Sequence, residues 1–282
     1  VDGAGPAGPI RLVVTDLDGT FWGRDFTVPP AHVAAVAELS ARGVTVLAAT
    51  SRRPRVVGQA LGDAGLTLPA VLLDGALGLD FRTGVRFHVG AFPPASAAAV
   101  LRAFRHDGLD PCLYVDDPEV DVIVSARPST CAAHLDYIAP FTRTADLTET
   151  ASSSVVLGFC LLGRPRAALE ATSARLHELG VTCVLYPEPV YGEHGLLVSA
   201  PGISKWAGIV AFCHRHGVGL DQVLAVGDGE NDVSMLSRAA VAVAVEGGSE
   251  AALRLADHVI APPERDGWAH VVSIVAATLP GP

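Results

Sequence analysis

The stretch Ile10-Arg11-Leu12-Val13-Val14-Thr15-Asp16-Leu17-Asp18-Gly19-Thr20 decides how the chain folds. Residues 10–15 form a short apolar run that reads as a buried strand, and the run ends on an acid. Continuous apolar strands, rather than alternating ones, belong to parallel sheets covered on both faces. The pattern repeats downstream. Residues 29–42 read as a helix with Pro29 and Pro30 in its first turn and Gly43 just past its end. Residues 44–49 read as a second buried strand, 54–63 as a helix opened by Pro54, and 71–73 as a third strand. The same alternation returns late: helix 204–216 closed by Gly217, strand 223–226, helix 230–238, strand 241–245, helix 250–256, strand 258–260 and a closing helix 266–277.

The middle of the chain differs. It reads as helix 95–106, strands 112–115 and 121–125 joined by Asp116-Asp117-Pro118, helix 129–138, strand 154–162, helix 166–179, and strands near 181–186 and 195–199. Strands joined by short connectors imply an antiparallel sheet covered on one side. The Ser/Thr-rich patch 142–154 reads as a surface loop. The expected fold is therefore α/β: a doubly wound parallel-sheet core from residues 1–80 and 196–282, with an α+β cap domain, residues 81–195, inserted into it.

Composition agrees with this size and class. At roughly 150 residues per domain, 282 residues suggest two domains. Half the residues are hydrophobic and 18% are charged, which excludes global disorder. Only 6% are aromatic, so Val, Leu and Ala must fill the core. Twenty Lys and Arg against 30 Asp and Glu leave a net charge of −10, which argues against sequence-independent nucleic-acid binding. No apolar run approaches the roughly 18 residues of a membrane span, and residues 1–9 lack the basic and apolar segments of a secretory leader. The five cysteines (Cys112, Cys131, Cys160, Cys183 and Cys213) are odd in number and form no C-x-x-C pair. That pattern fits reduced thiols and a cytoplasmic location.

Four clusters carry candidate chemistry. Asp16 and Asp18 lie two residues apart where a strand runs out, at the sheet edge where open α/β folds bind ligands. Two acids so close raise one another's pKa unless a cation intervenes; one suits a nucleophile and the other a general acid. The same residues would also serve as a cap and turn, with Gly19 supplying positive φ. Thr50-Ser51 precedes a helix start, which makes an anion site or an ordinary cap. Lys205 follows Ser204 at a helix start, where a cation opposes the macrodipole by ~0.3–1 kcal/mol. A local rule broken without structural gain points to function, though a solvated lysine fits as well. Gly227-Asp228-Gly229-Glu230-Asn231-Asp232 again ends a strand in an acid. Glu230 and Asp232 suit a helix N-terminus electrostatically, while Asp228 is aimed at the same edge as Asp16. Hard oxygen ligands converging from separate strand ends suit Mg²⁺. Together the clusters supply a nucleophile, an acid/base, a cation bridge and donors for phosphoryl oxygens.

In that order, D-L-D-G-T, T-S, S-K and G-D-G-E-N-D resemble the haloacid dehalogenase (HAD) superfamily, and most nearly its Cof-type phosphatases. The likeness continues through Ala242-Val243-Ala244-Val245-Glu246-Gly247-Gly248, Ala256-Asp257-His258-Val259 and Asp266-Gly267, and is weak within the cap. The resemblance implies a Rossmann-like core and a Mg²⁺-dependent phosphatase acting on small phosphorylated metabolites such as sugar phosphates. It implies that Asp16 attacks phosphorus and forms an aspartyl-phosphate, and that Asp18 protonates the leaving oxygen and then activates water. It implies Mg²⁺ held by Asp16, the Asp18 carbonyl and Asp228, and a phosphoryl group held by Thr50, Ser51, Lys205 and Asn231. Lys205 would balance charge, and Asp232 would orient it or a metal-bound water. Three positions depart from the family pattern: Ser51 replaces the Gly of T-G-R, Asp74 the Asn of N-G-A, and Trp206 a Gly after the Lys. Arg52 and Arg53 would assist phosphate binding or solvate a helix start. Two rival readings stay open: a phosphotransferase or mutase on the same fold, and a non-catalytic module that binds a phosphometabolite.

Overall fold

The computed structural model describes residues 8–188 and 190–278. The chain divides into two units, Val1–His88 with Ser204–Pro282, and Val89–Ile203. The first unit begins with β1 (Leu12–Thr15), α1 (Pro30–Ala41), β2 (Thr45–Ala49), α2 (Pro54–Asp63), β3 (Pro69–Leu72), β4 (Leu77–Asp80) and β5 (Arg86–Val89). Both helices carry Pro in their first turn, where the missing N–H has no intrahelical partner to lose.

The second unit comprises α3 (Pro94–His106), β6 (Cys112–Val115), β7 (Val122–Val124), α4 (Ala132–Ile138), β8 (Thr142–Thr144), α5 (Leu147–Ser153), β9 (Val156–Arg164), α6 (Arg166–Glu178), β10 (Thr182–Pro187) and β11 (His194–Ser199). Its sheet has the order β10-β11-β9-β6-β7-β8 and is antiparallel except where β7 meets β8. Leu101 and Phe104 of α3, Leu147 of α5 and Leu169 and Leu176 of α6 pack against Leu113, Phe159 and Leu161 on one face.

The chain then returns to the first unit with α7 (Lys205–His216), β12 (Val223–Gly227), α8 (Val233–Leu236), β13 (Val241–Val245), α9 (Glu250–Leu255), β14 (His258–Ile260) and α10 (Val271–Ala277). The eight strands follow the order β14-β13-β12-β1-β2-β3-β4-β5. From β14 to β3 all neighbours are parallel, and β4 turns back antiparallel on β3. β1 and β12 are buried at every residue, so both faces of the sheet are covered. Leu12, Val14, Leu47, Ala49, Val223 and Ala225 pack on Ile209 and Phe212 of α7. β1 leads to β2 on one side, and the returning chain adds β12 on the other. The order therefore reverses at the β1/β12 boundary, the place where such sheets open a crevice at their carboxyl ends.

Four sequence expectations need correction. Residues 142–154 are not a loop: they hold β8 and α5, whose first turn is capped by the Asp146 carboxylate accepting from Thr148 and Glu149 N–H. The expected helix 230–238 is a tight 3₁₀ turn, Glu230–Asp232, followed by the short α8. The closing helix likewise begins as a 3₁₀ turn, Gly267–His270, ahead of α10. The units also divide eight residues later at each junction than residues 81–195, because β5 belongs to the large sheet and β11 to the smaller one. Among the described residues no helix is long and apolar enough to cross a membrane.

α7 approaches β3 closely through Gly208, where a Cβ would stand 2.5 Å from Val71 Cγ1. Alanine would gain about 1 kcal/mol in helix propensity, but overpacking a filled core costs about 1–3 kcal/mol. Gly208→Ala is expected to lower stability by up to about 2 kcal/mol in urea denaturation; a gain of about 1 kcal/mol, the helix propensity acting unopposed, would refute the close packing.

Candidate active site

The site is assembled at the β1/β12 boundary. Asp16 follows β1 directly, and its N–H donates to the Val226 carbonyl of β12 at 2.8 Å. The chain then turns sharply: the Leu17 carbonyl accepts from the N–H groups of Phe21 and Trp22, each at 2.9 Å. This turn brings the Thr20 hydroxyl to Asp228 Oδ1 at 3.0 Å. Behind it, Trp268 Nε1 donates to Thr15 Oγ1 at 2.9 Å, and the Thr15 hydroxyl donates to the Asp16 carbonyl at 2.7 Å.

Lys205 stands at the start of α7 and is completely buried. Its Nζ donates to Asp16 Oδ1 and to Asp232 Oδ1, both at 2.6 Å. Burial alone would lower its pKa, but Asp16, Asp232 and Asp74 outweigh that influence and hold it well above the ordinary lysine value. A cation at a helix N-terminus is thus explained by two carboxylates that more than offset the dipole. Ser204 caps the same helix, its hydroxyl accepting from Ala207 N–H at 3.2 Å.

The carboxylates divide into roles. Asp232 Oδ2 accepts the N–H groups of Asp228 and Gly229 at 3.0 and 2.9 Å, and its Oδ1 takes Lys205. Both oxygens are spent on orienting the 228–229 turn and the ammonium. Asp16 is pushed well above the usual carboxylate range, chiefly by burial and then by the Asp232 charge, with Lys205 pulling it back. Asp228 is raised as well, first by burial, with the Thr20 hydroxyl opposing.

Carboxylate oxygens of Asp16, Asp228 and Asp232 lie within 4.8 Å of one another. These acids, with Asp74 also acting on Lys205, outnumber the one ammonium and leave an excess of negative charge at a largely buried place. A divalent cation with hard-oxygen preference matches that surplus and donor set. With Asp232 fully engaged, Asp16 and Asp228 are the carboxylates that fit it.

The other predicted residues surround this centre. The Asp18 side chain turns away from the cluster: Arg52 Nε donates to its Oδ2 at 2.9 Å, Arg52 Nη2 to its Oδ1 at 3.0 Å, and Trp22 Nε1 to the same Oδ1 at 3.2 Å. The guanidinium also lies 4.8 Å from the Phe26 ring centroid. Thr50 is buried at the end of β2, its Oγ1 accepting from Arg52 N–H at 3.1 Å, while Ser51 is exposed. Asn231 donates through Nδ2 to Asp74 Oδ1 at 3.3 Å. Sequence reasoning missed the Thr20 contact and the anchoring of Asp18 by Arg52 and Trp22. The D-L-D-G-T run contained Thr20, but nothing local marks Trp22 or a partner 34 residues away.

A model of the haloacid dehalogenase-like hydrolases matches residues 13–272. The pyridoxal phosphate phosphatase YbhA of Escherichia coli K12 is 26% identical over 273 residues, spanning 93% of this chain and 97% of that protein. Among solved structures, BT1666 from Bacteroides thetaiotaomicron, a phosphatase of the haloalkanoate (HAD) superfamily, gives a TM-score of 0.78 at 20% identity, over 98% of this chain and 99% of that one. The HAD subclass IIB sugar phosphatase BT4131 gives 0.72 at 22% identity, over 94% and 99%. The chain therefore belongs to the haloacid dehalogenase-like hydrolases and, within them, to the Cof-type phosphatases.

Lys205→Met leaves two buried acids without their shared ammonium and should destabilise the metal-free protein by about 3–5 kcal/mol at neutral pH. Asp16 already titrates above its unfolded value, so the folded variant binds protons that the unfolded chain has released. Stability must then fall as pH rises from the ordinary Asp value, about 3.9, through the raised one, and recover on acidification. Denaturant titration in chelator at about pH 5 and pH 7 should show the deficit shrinking at the lower pH; a constant deficit would contradict the buried pairing.

Proposed function

We propose that the protein is a Mg²⁺-dependent phosphatase that hydrolyses small phosphorylated metabolites, sugar phosphates among them, through an aspartyl-phosphate on Asp16. The observation that carries this reading is the buried Lys205 ammonium held 2.6 Å from both Asp16 and Asp232, with Asp228 alongside.

Lys205 occupies Asp16 Oδ1, which leaves Oδ2 as the attacking oxygen. Nucleophilic attack needs the ionised carboxylate, which burial and neighbouring acids disfavour and Lys205 favours. Mg²⁺, held by Asp16 and Asp228 and on the family pattern by the Asp18 carbonyl, would shift that balance further toward the carboxylate and polarise the phosphoryl oxygens. As Asp16 Oδ2 bonds to phosphorus, the bond to the ester oxygen breaks and Asp18, which must first leave its ion pair with Arg52, would supply the proton that oxygen needs. Asp18 then takes a proton from water as that water attacks phosphorus, releasing inorganic phosphate and restoring Asp16. On the family pattern Thr50 and Asn231 would donate to the phosphoryl oxygens, with Ser51 exposed beside Thr50. Asp232 acts through Lys205 rather than on the ester.

The breadth of the substrate class is supported by the relatives: pyridoxal phosphate is named for one and sugar phosphates for another. A panel of such esters, assayed for phosphate release with Mg²⁺, with chelator and with Asp16→Asn, tests the reading. Release should require Mg²⁺ and fall by more than about 10³-fold in the variant. An active Asp16→Asn protein would remove Asp16 as nucleophile, and formation of an isomeric ester in place of free phosphate would make the protein a mutase.

A further inference from the structure

Asp74 follows β3 at the same carboxyl edge as Asp16 and Asp228, and nothing in the reaction above uses it. The backbone there is bent at a cost. Leu73 and Asp74 both have left-handed φ values, 51° and 52°, and Gly75 continues at 111°. A Cβ at Gly75 would lie 2.0 Å from the Ser204 carbonyl oxygen, immediately before Lys205. Residues with a Cβ rarely adopt the left-handed region, and two in succession need firm support. That support comes from Leu73 N–H donating to the Arg52 carbonyl and Asp74 N–H to the Thr50 carbonyl, each at 3.1 Å. The strained turn therefore presses Asp74 against the residues proposed to bind the phosphoryl group.

The side chain is only partly paired. Oδ1 accepts the Asn231 amide at 3.3 Å, and Oδ2 accepts no hydrogen bond among the described residues. Burial pushes the carboxyl up, while the Lys205 ammonium and the Asn231 amide draw it down. Asp74 helps to hold Lys205 charged and is a like charge to Asp232, and neither relation uses its second oxygen.

We propose that Asp74 selects phosphate esters by their leaving group. Its open oxygen accepts a hydrogen bond from a hydroxyl or ammonium donor close to the ester oxygen, and its charge repels a leaving group that carries a second anion. The proposal rests on the phosphatase reading, because it concerns which ester that same site accepts. A donor on the leaving group gains a charge-assisted hydrogen bond. A carboxylate or second phosphate meets a like charge instead, which is how sites reject a competitor of similar size. The favoured class is the monophosphate of a polyol or amino alcohol, not a phosphorylated carboxylic acid or a bisphosphate.

Three esters of similar size separate these chemistries: glycerol phosphate with hydroxyls, phosphoethanolamine with an ammonium, and phosphoglycolate with a carboxylate. Asp74→Asn is the informative variant, since Asn keeps the shape and tolerates the left-handed backbone. With Mg²⁺ present, kcat/KM for the two donor esters should exceed that for phosphoglycolate by at least about tenfold, and the variant should shrink this ratio by about tenfold, mainly by raising kcat/KM for phosphoglycolate. An unchanged ratio, with both proteins releasing phosphate, would overturn the role of Asp74 and leave the phosphatase reading intact. Silence on all three esters and on the wider panel would count against the phosphatase reading instead. Discrimination is then read by calorimetric titration of the same esters into Asp16→Asn and the Asp16→Asn/Asp74→Asn double variant. A shift in relative affinity toward phosphoglycolate supports the role of Asp74, and equal ratios end it.

Discussion

One buried ammonium organises the centre of this protein. Lys205 has no water around it and is tolerable only because Asp16 and Asp232 each come within 2.6 Å of its Nζ. The converse also holds. Two carboxylates brought together in a desolvated place repel each other strongly, and a single shared cation lets both remain there. From this contact the rest follows. Asp232 must turn back over Asp228 and Gly229, so the chain forms a 3₁₀ turn where a regular helix would carry the carboxylate outward. Asp16 is left with one oxygen free of Lys205, and Asp228 stands close enough to share a cation with it.

The sheet makes that arrangement affordable in conformational terms. Asp16 and Asp228 are the first residues beyond two adjacent parallel strands, whose register pairs Thr15 with Val226. Their separation is set by a rigid, fully buried ladder instead of by flexible loops. α7 is set by Gly208 against Val71 and by Gly75 beneath Ser204, so Lys205 enters from a third direction with its backbone already fixed. Preorganisation of this kind means that little reordering is needed when charge develops on a bound phosphoryl group.

Much of this was legible in the residues, for identifiable reasons. An apolar strand ending in an acid is visible in one dimension, so Asp16 and Asp228 stood out. Lys205 stood out because a cation at a helix start is locally unfavourable, and its two partners explain why it is there. What was not legible depended on contacts without a local signature. α5 has only Leu147 and Ala151 as apolar anchors within a Ser/Thr-rich run, so its periodicity was hidden and Asp146 looked like one more loop residue. β4 is half-buried at its end and β5 carries only half-buried and exposed positions, which blurred the edge of the large sheet. Arg52 on Asp18 joins side chains from two strand ends, and no spacing rule anticipates it. The left-handed Leu73 contradicts local preference, and Asp74 extends the left-handed run that it begins.

The position of β1 between β2 and β12 also bears on how the molecule is made. Thr15 pairs with Ala48 on one side and with Val226 on the other. During synthesis the first partner follows almost at once, but the second is separated by the whole of the inserted unit. At about 5–20 residues per second, β1 waits roughly 10–40 s with one edge unpaired. The inserted sheet is built mainly from strands that follow closely in sequence, so it can complete its pairing in that interval. The tie from Trp268 to Thr15 arrives later still. The loop that carries Asp16 is thus among the last parts of the protein to acquire its native surroundings, and its assembly is governed by long-range closure more than by local folding.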